Sequence, residues 1–186
     1  LAAARWVDRA VRRDPGALPR NVLFVFQPAE ETTGGAKTVC ESGVFERYGV
    51  DRIFGFHVWP DLPAGTVASR PGPLLARSSE VTASFTGRSA HIARYREGRD
   101  ALGAAARFAV GAKWLSRKLE QEEPCTLRFG RMEAGTVRNA VAGSARVEGS
   151  LRVFSDAMFD RACAELGDVA RTAAGEEGCE VELAFS

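Results

Sequence analysis

The chain has 186 residues, 45% hydrophobic and 26% charged, which supplies core for one largish domain or two small ones. Its 25 Lys and Arg against 24 Asp and Glu leave a net charge of +1, which gives no electrostatic basis for capturing nucleic acid or anionic lipid. No run approaches the roughly 18 apolar residues of a membrane span, and no signal peptide is visible. The four cysteines, Cys40, Cys125, Cys163 and Cys179, form no Cys-x-x-Cys pair. That pattern argues against a zinc ribbon or a redox motif and fits a reduced, cytoplasmic protein.

Residues 1–13 read as an amphipathic helix with Leu1, Ala4, Val7 and Val11 on one face, ended by "DPGALP". The helix opens without Met or an N-cap, so the chain reads as an excerpt from a longer one. "NVLFVF" (21–26) follows, a continuous apolar run of the kind found in a parallel strand covered on both faces. Pro28 and two adjacent carboxylates, Glu30 and Glu31, come next; on composition alone such a pair reads as a solvated turn. "GGAKTVCESG" predicts a short helix closed by Gly43, then "RIFGFHVW" (52–59) a second strand and "TVASR" a short third. Helix, strand, helix, strand is the α/β pattern, assigned here to a first domain over 1–77.

Around "PGPLLARS" (71–78) the pattern changes. "EVTASFTG" alternates Val81, Ala83 and Phe85 inward, as a strand with one wet face does. A polar loop, "RSAHIARYREGR", precedes a long helix that Asp100 can N-cap, running to about Glu122. "CTLRFGRM" and "SARVEGSLRVF" are strand-like, Ser155 caps a helix ending at Gly175, and "CEVELAF" is the last strand. This order over 78–186 is the βαββαβ ferredoxin-like arrangement. Such a fold hosts many functions. An RNA-binding version needs stacking aromatics and a basic surface, and Phe129 and Phe154 are too few.

Open α/β sheets bind ligands beyond the carboxyl ends of their strands. Glu30 and Glu31 follow one predicted strand, and His57 ends "RIFGF". If those strands are sheet neighbours, two carboxylates and an imidazole converge, a donor set that suits a zinc-like divalent ion. Adjacent glutamates on a turn can point different ways, so one can bind metal while the other takes a proton from water. The competing reading of His57 is a half-buried histidine bonded to backbone; that of His91 is a solvated loop residue.

"QPAEE" followed by "GFHVWP", then "TGRSAHIA" and "EGRDAL", resembles the aminoacylase/carboxypeptidase family of two-metal amidohydrolases. The branch resembled holds hippurate hydrolase, N-acetyldiaminopimelate deacetylase and the indoleacetyl-amino-acid hydrolases. The resemblance spans Leu1 to Phe185. It implies a partial zinc-peptidase-like catalytic α/β layer in 1–77 and a ferredoxin-like lid and dimerisation domain in 78–186. It further implies Glu30 as general base, Glu31 and His57 as metal ligands, and His91 as the group that steadies the tetrahedral oxyanion, reaching into the neighbouring subunit of a homodimer. Asn139 in "TVRNAVAG" matches the lid asparagine that contacts substrate, though loosely, since the family reads Asn-Val-Ile-Pro there. The implied cofactor is a pair of divalent metals, zinc or alternatively manganese, cobalt or nickel, and the implied substrate a small N-acyl amino acid or peptide. The family's remaining metal ligands lie in a Cys-Gly-His-Asp-like segment upstream and in a later histidine, neither of which occurs here. Glu31 and His57 alone do not hold a metal pair, because zinc sites use at least three protein ligands. Two expectations therefore stand: an amidohydrolase whose full metal site needs further segments, or a non-catalytic copy kept as a dimerisation or binding module.

Overall fold

An alanine-rich run free of glycine and proline makes Ala2–Arg13 a helix (α1). Asp8 accepts from Arg12 one turn later at 2.9 Å, and Arg12 and Arg13 place positive charge at the C-terminal end, where the helix dipole favours it. The computed structural model describes residues 1–29 and 35–186, and the chain divides into two compact units, Leu1–Thr66 and Val67–Ser186.

The first unit continues with Gly35–Glu41 (α2) and the single turn Val44–Arg47 (α3). Gly43 separates them in the left-handed region at φ +67°, where a side chain is strained. The strands expected over 21–26, 52–59 and 66–70 do not form: among the described residues the first unit has helices, turns and irregular segments, and 67–70 of the second unit form no strand. Phe54, Phe56 and Val58 are 79%, 85% and 87% exposed, against the buried positions their composition predicts. A strand exists through its ladder, and these segments have strand composition without a ladder partner among the described residues.

The second unit contains the sheet. In chain order it holds Arg77–Thr86 (β1), a 3₁₀ helix Ile92–Glu97, Ala101–Leu119 (α4), Cys125–Ala134 (β2), Ser144–Val153 (β3), Asp156–Glu176 (α5) and Glu180–Phe185 (β4). The four strands are antiparallel in the order β2-β3-β1-β4. Asp100 caps α4 by accepting from Leu102 N–H at 3.0 Å, as its position in the sequence predicts. The helix closes at Leu119, not near Glu122, because residues 120–123 turn back with i→i+3 and i→i+4 bonds.

Alternate residues of the strands (Val81, Ala83, Phe85, Leu127, Val147, Leu151 and Val153) join one core with Phe108, Leu115 and Leu119 of α4 and Met158 and Leu166 of α5. Phe108 is fully buried between Phe85 and Phe129, with ring centroids at 5.6 and 5.2 Å. Each such pair contributes about 0.5–1.5 kcal/mol beyond area burial. Among the described residues, no helix is long and apolar enough to cross a membrane.

Candidate active site

Glu30 and Glu31 lie outside the described residues. His57 belongs to the first unit, and His91 and Asn139 to the second.

His57 sits in an exposed segment without regular secondary structure, its ring edge-on to Trp59 with centroids 6.1 Å apart. Its Nδ1 lies 2.6 Å from the Val58 carbonyl oxygen. A carbonyl only accepts, so the proton is on Nδ1 and the neutral ring keeps its lone pair on Nε2. That is the arrangement of a histidine ready to ligate a metal through Nε2, with the other nitrogen tied to a backbone carbonyl. His57 thus fits one ligand position. Among the described residues, no group of three or more His, Cys, Asp or Glu side chains is placed to hold a metal ion.

His91 has the opposite arrangement. The segment that carries it is pinned along both sides after β1 ends. Gly87 N–H donates to Gly143 O at 2.9 Å, and Arg88 and Arg99 exchange backbone bonds at 3.0 and 2.9 Å. A Cβ on Gly87 would run into the Arg99 carbonyl, so this close approach requires glycine. Further along, Val141 N–H donates to Ala90 O at 2.8 Å and Ile92 N–H to Asn139 O at 3.0 Å. The expected polar loop is therefore an extended stretch followed by a 3₁₀ turn that His91 itself caps. Its Nδ1 accepts from Ala93 N–H at 3.2 Å. A neutral ring accepting at Nδ1 carries its proton on Nε2, so His91 presents an N–H donor. A donor of that kind suits an oxygen that gains negative charge.

Asn139 is exposed on the turn between β2 and β3, and its backbone joins the residue following His91. His91 and Asn139 are thus brought side by side through main-chain bonds. A depression of about 460 Å³ is lined by Arg88, Ser89, Ala90, His91, Arg94 and Glu97. Arg94 is neutralised there by Glu97, with contacts at 2.8 and 2.6 Å.

The sequence profile of Peptidase family M20/M25/M40 matches residues 1–183. An N-acetyldiaminopimelate deacetylase of Lacticaseibacillus casei is 35% identical over 168 residues, covering 89% of this chain and 44% of that protein. One from Oceanobacillus iheyensis is 42% identical over 133 residues, covering 71% and 36%. Among solved structures, a protein from methicillin-resistant Staphylococcus aureus described as an aminohydrolase superposes with a TM-score of 0.77 at 27% identity, over 86% of this chain and 43% of that one. A dinuclear metal-binding peptidase of the M20 family from Bacillus subtilis gives 0.66 at 31% identity, over 87% and 39%. The chain spans less than half the length of these curated relatives.

Proposed function

Because the chain belongs to peptidase family M20/M25/M40, we propose that it acts as a metal-dependent amidohydrolase, cleaving the amide of an N-acyl amino acid or related small amide to a carboxylate and a free amine. The observation that carries this reading is the pair of histidine tautomers, one offering a lone pair and the other an N–H. The similarity to deacetylases and to a dinuclear metal-binding peptidase supports it.

In this reading Glu31 and His57 supply ligands to a divalent metal pair, zinc or else manganese, cobalt or nickel, completed by groups beyond the described residues. Divalent metal supplies Lewis acidity at neutral pH. Glu30 takes a proton from the attacking water and returns it to the leaving amine. The His91 Nε2–H donates to the carbonyl oxygen as charge builds there, and Asn139 contacts the substrate. Residues 1–77 belong to the catalytic domain. Residues 78–186 form a ferredoxin-like lid through which a homodimer assembles; their βαββαβ order supports that assignment.

The test is Glu30→Gln in the full enzyme. General acid–base work is worth roughly 100- to 10,000-fold in rate, so turnover of an N-acyl amino acid should fall by that factor with metal content unchanged. Loss of metal from Glu30→Gln, with metal retained by Glu31→Gln, would reverse the two roles. A wild type that binds no metal and hydrolyses no N-acyl amino acid would leave the dimerisation module as the reading.

A further inference from the structure

The stretches "TGRS" (86–89) and "EGRD" (97–100) each hold a Gly-Arg pair, and the fold sets the two pairs against each other. Arg88 and Arg99 exchange both backbone bonds, at 3.0 and 2.9 Å, and so close the neck of the loop between them. His91 opens the 3₁₀ turn inside that loop and Gly98 ends it, its N–H donating to Tyr95 O at 2.9 Å. A compact loop with joined ends holds its residues as one body. Gly98 has φ −86°, which any residue adopts, so its backbone does not require glycine. The space around it does. A Cβ at Gly98 would stand 3.0 Å from the Arg88 carbonyl oxygen and 3.0 Å from both Cβ and Cγ1 of the buried Val141. Carbon atoms pack best at about 3.5–4.0 Å, so a neighbour has to give way.

We propose that Gly98 is a positioning residue for His91: the room it leaves at the neck of the loop sets where the His91 Nε2–H stands. This rests on the amidohydrolase reading above, in which that N–H donates to the scissile carbonyl oxygen. Both neighbours that Gly98 touches lead to His91. Arg88 lies three residues before it in the same segment, and the Val141 N–H holds the Ala90 carbonyl at 2.8 Å. Whichever of them yields to a side chain at position 98 carries the His91 segment with it. Ala101 N–H donates to Ala142 O at 3.0 Å, which ties the segment beyond Val141 to the first turn of α4. That side is anchored, so the displacement falls on the loop. The required shift is a few tenths of an ångström. An oxyanion donor works at about 2.7–3.1 Å, and a misplacement of about 1 Å costs on the order of 100-fold in rate. A few tenths should therefore cost about tenfold.

The test asks whether Gly98 acts through His91. In the full, metal-loaded enzyme, Gly98→Ala should lower kcat for an N-acyl amino acid about tenfold, with KM within about twofold of wild type. Gly130→Ala, which adds the same methyl to open space in the sheet, should leave both constants unchanged. In a His91→Ala background, Gly98→Ala should have no further effect on kcat, because the group it misplaces is gone. A loss of the same size that persists in that background, or wild-type kcat in Gly98→Ala, would overturn the proposal. Should Gly98→Ala not fold, Val141→Ala loosens the same contact from the other side and is read in the same two backgrounds with the same outcomes. Long-range ¹H–¹⁵N spectra add a readout independent of turnover: Gly98→Ala should shift the His91 ring signals and leave those of His57 in place. His91 signals at their wild-type positions would likewise overturn the proposal. A wild type without hydrolysis, whose His91 signals still answer to Gly98→Ala, would sink the amidohydrolase reading and leave Gly98 in control of the histidine.

Discussion

The two histidines show how a single backbone contact assigns chemistry to a side chain. His57 donates through Nδ1 to the carbonyl of its own neighbour, whereas His91 accepts at Nδ1 from the N–H two residues on. The same ring is thereby made a lone-pair donor in one place and a hydrogen donor in the other, with no ionisable neighbour needed. Long-range ¹H–¹⁵N correlation spectra at alkaline pH should show His57 as the Nδ1–H tautomer and His91 as the Nε2–H tautomer. Equal tautomers at the two positions would remove the structural basis for giving them different roles. At this scale the sequence singles out both histidines, through "GFHVWP" and "TGRSAHIA". It did not show which nitrogen each presents, because that depends on main-chain geometry one or two residues away.

Elements were legible where each residue's environment repeats with the element's own period. β1 alternates buried Val81, Ala83 and Phe85 with less buried neighbours, and α4 and α5 begin after the expected caps Asp100 and Ser155. "NVLFVF" and "RIFGFHVW" failed as strands because a continuous apolar run says what a segment prefers to be covered by, and not whether a ladder partner stands beside it. A finer detail of the sheet also escaped the sequence. Between β2 and β3 the register shifts at Phe129/Arg131, leaving Gly130 as an extra residue, a β-bulge. Opposite it, Gly149 pairs with Phe129, and a Cβ there would run into the Arg128 carbonyl and stand 2.7 Å from the Phe129 ring. Two glycines in neighbouring strands therefore have different weights. Gly149→Ala should destabilise the second unit by about 1–3 kcal/mol, the usual cost of overpacking against backbone. Gly130→Ala, which meets nothing within 4 Å, should stay within about 0.5 kcal/mol of wild type. Chemical denaturation of both variants decides the matter; equal midpoints would show that the bulge relaxes to admit a side chain at Gly149.

Across the second unit, charge ties elements that the core alone leaves adjacent. Lys118 of α4 meets Glu165 of α5 at 2.8 Å, and Arg161 joins Glu165 and Glu122, so the end of one helix is clamped to the start of the other. On the sheet, Arg146 of β3 and Arg131 of β2 share Glu148, at 2.9 Å each. Hydrogen bonds from their partners hold four carboxyl groups below the usual range. Glu120 is held first by Ser116, Glu122 by Arg161, Glu148 by Arg146 and Glu165 by Lys118. The consequence for stability has a definite sign. A carboxyl group with a lower folded than unfolded pKa binds fewer protons when folded, so its contribution is complete above the unfolded value, about 4.3 for glutamate, and is lost as pH falls through the folded value. These four groups should therefore leave stability flat above about pH 5 and make it fall as pH drops below the unfolded value. Glu120 and Glu122 are exposed and Glu148 and Glu165 half-buried at the surface, so salt should weaken the effect. Thermal midpoints measured at pH 3, 4, 5 and 7, in low salt and again in about 0.5 M sodium chloride, test both parts. The expected result is a clear fall from pH 5 to pH 3 that is smaller in high salt. A midpoint unchanged between pH 5 and pH 3, or one that falls equally in both salts, would mean the charged clamps between α4, α5, β2 and β3 do not contribute to holding the fold.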